Sequence, residues 1–137
     1  MNITKQYIKQ LNYQIIGAAI EVHKQLGPGL LESIYEECLY EELLLKGLYP
    51  QKQVNVPVVY KGKKVKNDLR IDLLINDIII VELKSVNELH PLFQAQLITY
   101  MKLAEKPKGL LINFNVTKLT DGIVPIVNEL FANLPEE

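Results

Sequence analysis

The 137-residue sequence has few of the residues that build disulfide, zinc or membrane-spanning structures. Its one cysteine, Cys38, cannot form an internal disulfide, so we expect a reducing, cytoplasmic location. Its two histidines, His23 and His90, do not form a paired spacing such as HxxxH, which argues against a zinc site. No segment approaches the run of about 18 apolar residues that a membrane-spanning helix needs, and we therefore expect no integral membrane protein.

The sequence also lacks an excess of positive charge. Its 15 basic and 16 acidic residues give a net charge of −1, so no general positive field attracts nucleic acid, and any binding of a polyanion must be local. One group of lysines surrounds a predicted hairpin turn: Lys61, Lys63, Lys64 and Lys66. These lysines either belong to a solvated turn or contact phosphates.

The length and the hydrophobic content of 48% predict one domain, residues 1–137, with one core. Hydrophobic periodicity predicts the order α-α-β-β-β-α-β-α, which is an α/β fold with a mixed four-stranded sheet flanked by helices. The first predicted helix begins at residue 8, and the other three cover about 30–46, 91–104 and 122–133. The predicted strands cover 51–60, 64–75, 79–86 and 109–114. The last strand should be parallel to the third, because a right-handed crossover joins them. The second helix should direct four residues to the core: Leu31, Tyr35, Cys38 and Leu45.

Charged residues interrupt two neighbouring apolar strands. Asp72 lies in one strand, and Glu82 and Lys84 leave the next strand on the same face, because side chains alternate along a strand. A structural interpretation is that Glu82 and Lys84 simply meet water while Asp72 pairs with Lys84 or Arg70. The alternative is a Mg²⁺ site, in which two converging carboxylates bind the ion and the lysine acts on water or offsets phosphate charge.

The spacing of Asp72 and Glu82-Leu83-Lys84 resembles the D…ExK signature of the PD-(D/E)XK nuclease superfamily. A second motif, in which Gly29, Glu32 and Tyr35 are the matching positions, resembles the GxxExxY element of a family of small proteins in that superfamily. The resemblance extends over nearly the whole chain. It implies a restriction-endonuclease-like core, in agreement with the predicted order of elements.

The resemblance implies a metal-dependent phosphodiesterase, a nuclease-like hydrolase that acts on nucleic acid. Asp72, Glu82 and the Leu83 backbone carbonyl would bind Mg²⁺ or Mn²⁺, and Lys84 would act on the attacking water. Glu32 would support the metal or the water, although the helix dipole alone also favours a glutamate in a first turn. The alternative is a catalytically inactive module of the same fold that binds a protein partner or nucleic acid, and a third interpretation is a self-associating homo-oligomer.

Gln96 and Tyr100 resemble the QxxxY element of RecB-like members of the superfamily. This likeness implies that they hold Lys84, a phosphate or the waters of the site. Helical periodicity places Gln96 in the stripe that should face the sheet, where its amide needs partners. The structural alternative is that Gln96 bonds to backbone and Tyr100 fills the core.

The metal hypothesis requires a particular register in the hairpin between the two acids. Asp72 and Glu82 share a face only if they lie opposite each other, which pairs Ile75 with Ile79 and leaves a three-residue loop. A two-residue loop of Asn76 and Asp77 would turn the carboxylates to opposite faces. The hypothesis therefore predicts the odd loop or an equivalent bulge.

Overall fold

The computed structural model describes residues 2–137. Two helices, α1 (Lys5–Leu26) and α2 (Glu32–Leu45), precede the first strand. Helix α1 begins where the Thr4 hydroxyl accepts a hydrogen bond from the Tyr7 N–H at 3.0 Å. The spacing of its apolar residues by three and four predicts one buried face, and the structure buries all five of them: Ile8, Leu11, Ile15, Ala18 and Val22. Across residues 2–137, no helix is both long and apolar enough to cross a membrane.

The predicted core face of α2 is partly wrong. Tyr35 is buried as expected and Cys38 is half-buried, but Leu31 and Leu45 are 71% and 80% exposed. The buried residues of this helix recur at spacings of four: Tyr35, Leu39 and Leu43. Leu31 continues this spacing, but it is the N-cap residue with an extended backbone, so it lies outside the helix. Leu45 follows Leu43 by two positions, which turns it away from the stripe.

A mixed five-stranded sheet has the strand order β1-β4-β5-β6-β7. Its strands are β1 (Pro50–Val56), β4 (Leu69–Ile75), β5 (Ile79–Lys84), β6 (Lys108–Asn113) and β7 (Ile123–Val127). Strands β5 and β6 are parallel, as predicted, and they are joined through helix α3 (Pro91–Ala104). The short strands β2 (Val59–Tyr60) and β3 (Lys63–Lys64) form a separate hairpin, so the predicted strands 51–60 and 64–75 are both divided.

The predicted final helix over 122–133 is wrong. A 3₁₀ helix (Leu119–Gly122) leads into the fifth strand, β7, and only Glu129–Ala132 form a short helix, α4. Pro125 is the fourth residue of the predicted helix, where it disfavours a helical conformation of the residue before it, and the β-branched residues on both sides of it favour a strand. It is accommodated at the edge of a sheet, where β7 pairs only with β6.

Helices cover both faces of the sheet, which positions the candidate site between them. The larger core cluster joins α1 and α2 to one face, and α3 covers the other face with Leu97 and Met101. Gly109 permits this second contact, since a Cβ atom there would lie 2.8 Å from the Met101 sulfur. Helix α3 therefore lies close against β6.

The hairpin between β4 and β5 has the register that the metal hypothesis demands. Ile75 pairs with Ile79 and Leu73 with Val81, which leaves the three-residue loop 76–78. Asn76 and Asp77 both adopt left-handed backbone conformations, with φ of 53° and 58°. The prediction of an odd loop is confirmed.

Candidate active site

The sheet opens between β4 and β5, and we call this opening the fork. The pairing of the two strands ends at Leu73 and Val81. Beyond these residues β4 remains paired with β1, and β5 remains paired with β6. Asp72 and Glu82 are the first residues past the last pair, so the fork places the two predicted metal ligands beside each other.

Side-chain carboxylates replace the backbone acceptors at the fork. The Asp72 N–H donates a hydrogen bond to Glu82 Oε1 at 3.1 Å, and the Leu83 N–H donates to Asp72 Oδ2 at 2.9 Å. The two strands thus remain connected after their ladder ends, and each carboxylate satisfies a backbone donor of the other strand. The same bonds hold both acids in the gap between the strands.

Glu82 is the most strongly perturbed acid of the fork. Only 8% of its surface is exposed, and burial is the largest of the effects that raise its pKa to about 8. The Asp72 carboxylate raises the pKa further, whereas the Asp72 N–H and the Lys84 ammonium lower it. At pH 7 Glu82 is therefore largely neutral, because the fork is too poor in water and in positive charge for two carboxylates.

Lys84 does not form an ion pair with either acid. Its Nζ lies 4.3 Å from the centroid of the Phe93 ring, in a cation–π contact. Across residues 2–137, neither acid has a lysine or arginine nitrogen within 4.0 Å, and Arg70 is exposed. The structural interpretation, with Glu82 in solvent and Asp72 paired to a cation, is therefore wrong.

The C-terminal end of β5, at Lys84, is held by a residue that the sequence reasoning missed. Asn113 is buried at the end of β6; its Oδ1 accepts from the Val86 N–H and its Nδ2 donates to the Val86 carbonyl. The Phe114 N–H also donates to the Lys84 carbonyl at 2.9 Å. These bonds fix the backbone of Lys84. A polar residue that ends an apolar strand was the available signal.

Gln96 and Tyr100 lie on α3, but Gln96 is not buried. Leu97 and Met101 occupy the stripe that faces the sheet, so the predicted burial of Gln96 is wrong by one position of the helix. The Gln96 amide donates to the Tyr100 hydroxyl at 3.0 Å. Burial raises the pKa of the half-buried Tyr100, and the charges of Glu82 and Asp72 raise it further, which places its hydroxyl within the field of the fork.

Tyr35 of the GxxExxY element has a structural role. Its hydroxyl donates to the Gly27 carbonyl at 2.6 Å and accepts from the Leu30 N–H at 3.1 Å, and its ring stacks on Phe114. The Leu30 carbonyl in turn accepts from the Ser85 hydroxyl. Tyr35 therefore anchors the corner between α1 and α2 to the end of β5, next to Lys84.

Glu32 is exposed at the first position of α2, and across residues 2–137 no hydrogen bond joins it to the fork acids. Glu36, one turn later, is the helix acid that interacts electrostatically with one of them, Asp72. Burial raises its pKa most, a hydrogen bond from Gln53 opposes the rise, and the Asp72 carboxylate adds to it. The sequence signal was the spacing of four, which puts Glu36 on the face of Glu32.

Both histidines have local structural roles. His90 caps α3 by accepting from the Leu92 N–H at 3.0 Å, and His23 bonds to the Val116 carbonyl at 2.8 Å. Among residues 2–137, no three His, Cys, Asp or Glu side chains form a group that could hold a metal ion.

The donor set of the fork fits a small, hard cation. Mg²⁺ retains several waters and is often held by only one or two carboxylates, so Asp72 and Glu82 are sufficient side-chain ligands. The Asp72 carboxylate raises the pKa of Glu82, and neither acid has a cation within 4.0 Å, so a divalent ion at the fork would offset the repulsion. Their oxygens also suit Mg²⁺ or Mn²⁺ better than they suit a soft metal.

Comparison with known proteins agrees with this geometry. The model of the PD-(D/E)XK nuclease superfamily matches residues 9–126, a range that includes the fork, Lys84 and α3. No curated protein and no solved structure matches the chain with significance. The family match covers most of the sequence, and the observed mixed sheet between helices is consistent with a restriction-endonuclease-like fold. The chain therefore belongs to the PD-(D/E)XK nuclease superfamily.

Proposed function

We propose that this protein is a metal-dependent phosphodiesterase that cleaves nucleic acid at the fork. The observation that carries the proposal is the pair of carboxylates, Asp72 and Glu82, held together at the end of the β4–β5 ladder with no cation beside them. Structural acids are normally paired with a cation or exposed to water. Glu82 is buried and neither acid has a cation within 4.0 Å, which is more characteristic of a site that binds a cation from solution.

The proposal gives each residue a role. Asp72, Glu82 and the Leu83 carbonyl hold Mg²⁺ or Mn²⁺, which supplies an acidified water and neutralises charge on the phosphate. Lys84 acts on the attacking water, and its contact with Phe93 keeps the ammonium on the α3 side of the sheet. Gln96 and Tyr100 orient Lys84, a phosphate oxygen or the water, through the hydrogen bond that joins them.

Glu32 and the GxxExxY family assignment remain proposals. Glu32 begins the helix whose corner is anchored beside Lys84, and in this proposal it supports the water from that position. Glu36 is a second candidate for the same role, because it acts on Asp72. The cytoplasmic location that the lone Cys38 suggested is retained as part of the proposal.

The proposal is tested by calorimetric titration of Mn²⁺ into the wild type and Asp72→Asn. We expect one site in the wild type and a loss of at least about tenfold in affinity in the variant, because removal of a ligand leaves one carboxylate. Asp77→Asn is the matched control: it makes the same change on the same hairpin, in an exposed loop away from the fork. Asn also tolerates the left-handed conformation at that position.

Cleavage assays on single-stranded and double-stranded DNA and RNA complete the test. The wild type and Asp77→Asn should cleave at least one form with Mn²⁺, and Asp72→Asn and Lys84→Ala should not. Equal binding of Mn²⁺ by all variants, or no binding by any, would contradict the proposal and favour the inactive, partner-binding module.

A further inference from the structure

The hairpin of β2 and β3 stands apart from the rest of the molecule, and we call residues 57–68 the arm. Lys61 and Gly62 form its two-residue turn with φ of 50° and 79°, and the Val65 N–H donates to the Val58 carbonyl at 2.9 Å. Every residue of the arm except Val58 is exposed. Its ladder contains only the pairs Val59–Lys64 and Tyr60–Lys63, so the arm has little structural support of its own.

A two-stranded hairpin without packing is only marginally stable in water. The arm nevertheless presents apolar side chains to solvent, with Val59 58% and Tyr60 64% exposed. An exposed element with this composition is typical of a surface that contacts a partner.

The arm lies at the open end of the fork. It joins the end of β1 to the start of β4, and Val56 and Leu69, the residues that flank it, are paired. Asp72 follows Leu69 by three residues, which corresponds to about 10 Å along a strand. A chain bound across the fork would therefore pass within reach of lysines on the arm.

The arm concentrates the positive charge that the whole chain lacks. Its four lysines and one aspartate, Asp68, give it a net charge of +3, whereas the whole chain carries −1, so the remaining residues carry −4. Across residues 2–137, none of the four lysines forms an ion pair. Lys61 is directed at the Tyr60 ring, 5.5 Å from its centroid. Arg70, two residues before Asp72, is a further exposed cation.

We propose that the arm grips the phosphate backbone of a nucleic-acid strand and delivers it to the fork. The inference rests on the proposed function, and it adds that the substrate is a polymer long enough to bridge the arm and the acids. The lysines bind phosphates without reading sequence, and Tyr60 offers its ring to sugars or bases. Local charge on the arm replaces the general positive field that this chain does not have.

The test compares two triple variants with the same change in net charge. The arm variant is Lys63→Gln/Lys64→Gln/Lys66→Gln, and the control is Lys9→Gln/Lys46→Gln/Lys102→Gln. All six lysines are exposed, and each control lysine lies within four residues of a residue that is hydrogen-bonded to the loop 76–78, at the end of the hairpin away from the fork. The control therefore tests whether charge alone or its position matters.

Fluorescence anisotropy with labelled 20-nucleotide DNA and RNA, single-stranded and double-stranded, measures affinity without divalent ions at several salt concentrations. Loss of three phosphate contacts should reduce the slope of log affinity against log salt by about 2 to 3. With equal affinity extrapolated to 1 M salt, this slope change weakens binding at 0.1 M by roughly a hundredfold or more. The control variant should keep the wild-type slope.

Two readouts separate the arm from the fork. The arm variant should bind Mn²⁺ like the wild type and should keep any hydrolysis of bis(p-nitrophenyl) phosphate, which is too short to reach the arm. If both triple variants weaken binding equally, or if the wild type binds no nucleic acid, the arm proposal is overturned. If Mn²⁺ fails to bind the wild type while the arm variant alone loses nucleic acid, the proposed function fails and the arm remains a nucleic-acid grip.

Discussion

At the scale of single residues, the chemistry of the fork depends on the environment of Glu82. A glutamate at the end of a strand is ordinarily solvated, but here β6 and α3 cover the strand while Asp72 faces it across the fork. The proton on Glu82 reduces the repulsion between the two acids. The neutral side chain is therefore a structural acceptor, and in the proposed function its ionised form would be a metal ligand.

This environment predicts how the stability of the metal-free protein varies with pH. The unfolded chain releases the Glu82 proton near pH 4.5, whereas the folded protein releases it near pH 8. Between these values the unfolded chain binds fewer protons, so the contribution of Glu82 to the free energy of unfolding falls as pH rises. Glu82→Gln cannot ionise and should lack this fall.

Urea denaturation at pH 5 and pH 8.5 measures the effect. We expect the stability of Glu82→Gln relative to the wild type to increase between these pH values by an amount on the order of a few kcal/mol. Asp77→Asn, an exposed acid of the same hairpin, should show no comparable change. A relative stability of Glu82→Gln that is constant with pH would show that the acid is solvated in the folded protein.

At the scale of elements, the corner between α1 and α2 connects the GxxExxY element to the end of β5. Gly27 and Gly29 adopt positive φ values of 74° and 96°, and Tyr35 closes the corner with its hydroxyl. The Leu30 carbonyl then accepts from Ser85. The tyrosine of a motif that the sequence suggested as catalytic thus helps to hold β5, the strand that carries Lys84.

Tyr35→Phe should destabilise the protein by about 1 to 2 kcal/mol, because it removes a hydroxyl that satisfies two backbone groups and leaves the ring stacked on Phe114. Tyr13→Phe is the control, since Tyr13 is exposed on α1. Urea denaturation compares both variants with the wild type. An unchanged free energy of unfolding in Tyr35→Phe would mean that the corner does not depend on this hydroxyl.

At the scale of the whole molecule, a ligand that binds only the folded state must stabilise the fold. The wild type should gain about 2.7 kcal/mol of unfolding free energy at a Mn²⁺ concentration 100 times its dissociation constant. Asp72→Asn should gain far less. Because the ion competes with the Glu82 proton, the gain at a fixed Mn²⁺ concentration should be larger at pH 8 than at pH 6.

Thermal denaturation with and without Mn²⁺ measures this gain, and Asp77→Asn again serves as the matched control. Stabilisation of equal size in the wild type and Asp72→Asn would place the ion elsewhere on the molecule. A larger gain at pH 6 than at pH 8 would contradict the role of Glu82 as a ligand that must lose its proton.

The sequence by itself determined the features that depend on local pattern. The bounds of α3, the buried face of α1 and the parallel pairing of β5 with β6 follow from periodicity and chain order. The requirement that Asp72 and Glu82 share a face predicted an odd number of residues in the β4–β5 loop, and the observed register agrees with it. The helix features are predictable because positions close in sequence decide them, and the parallel pairing is predictable because crossovers between strands have one hand.

Only the tertiary structure decided where the charged groups lie relative to one another. Lys84 contacts Phe93 instead of an acid, Gln96 lies one position outside the packed stripe, and Glu36 acts on Asp72 from α2. The edge strand β7 also replaced a predicted helix, because pairing with β6 accommodates Pro125. These outcomes depend on how elements distant in sequence pack, and on where two strands separate, neither of which a local pattern records.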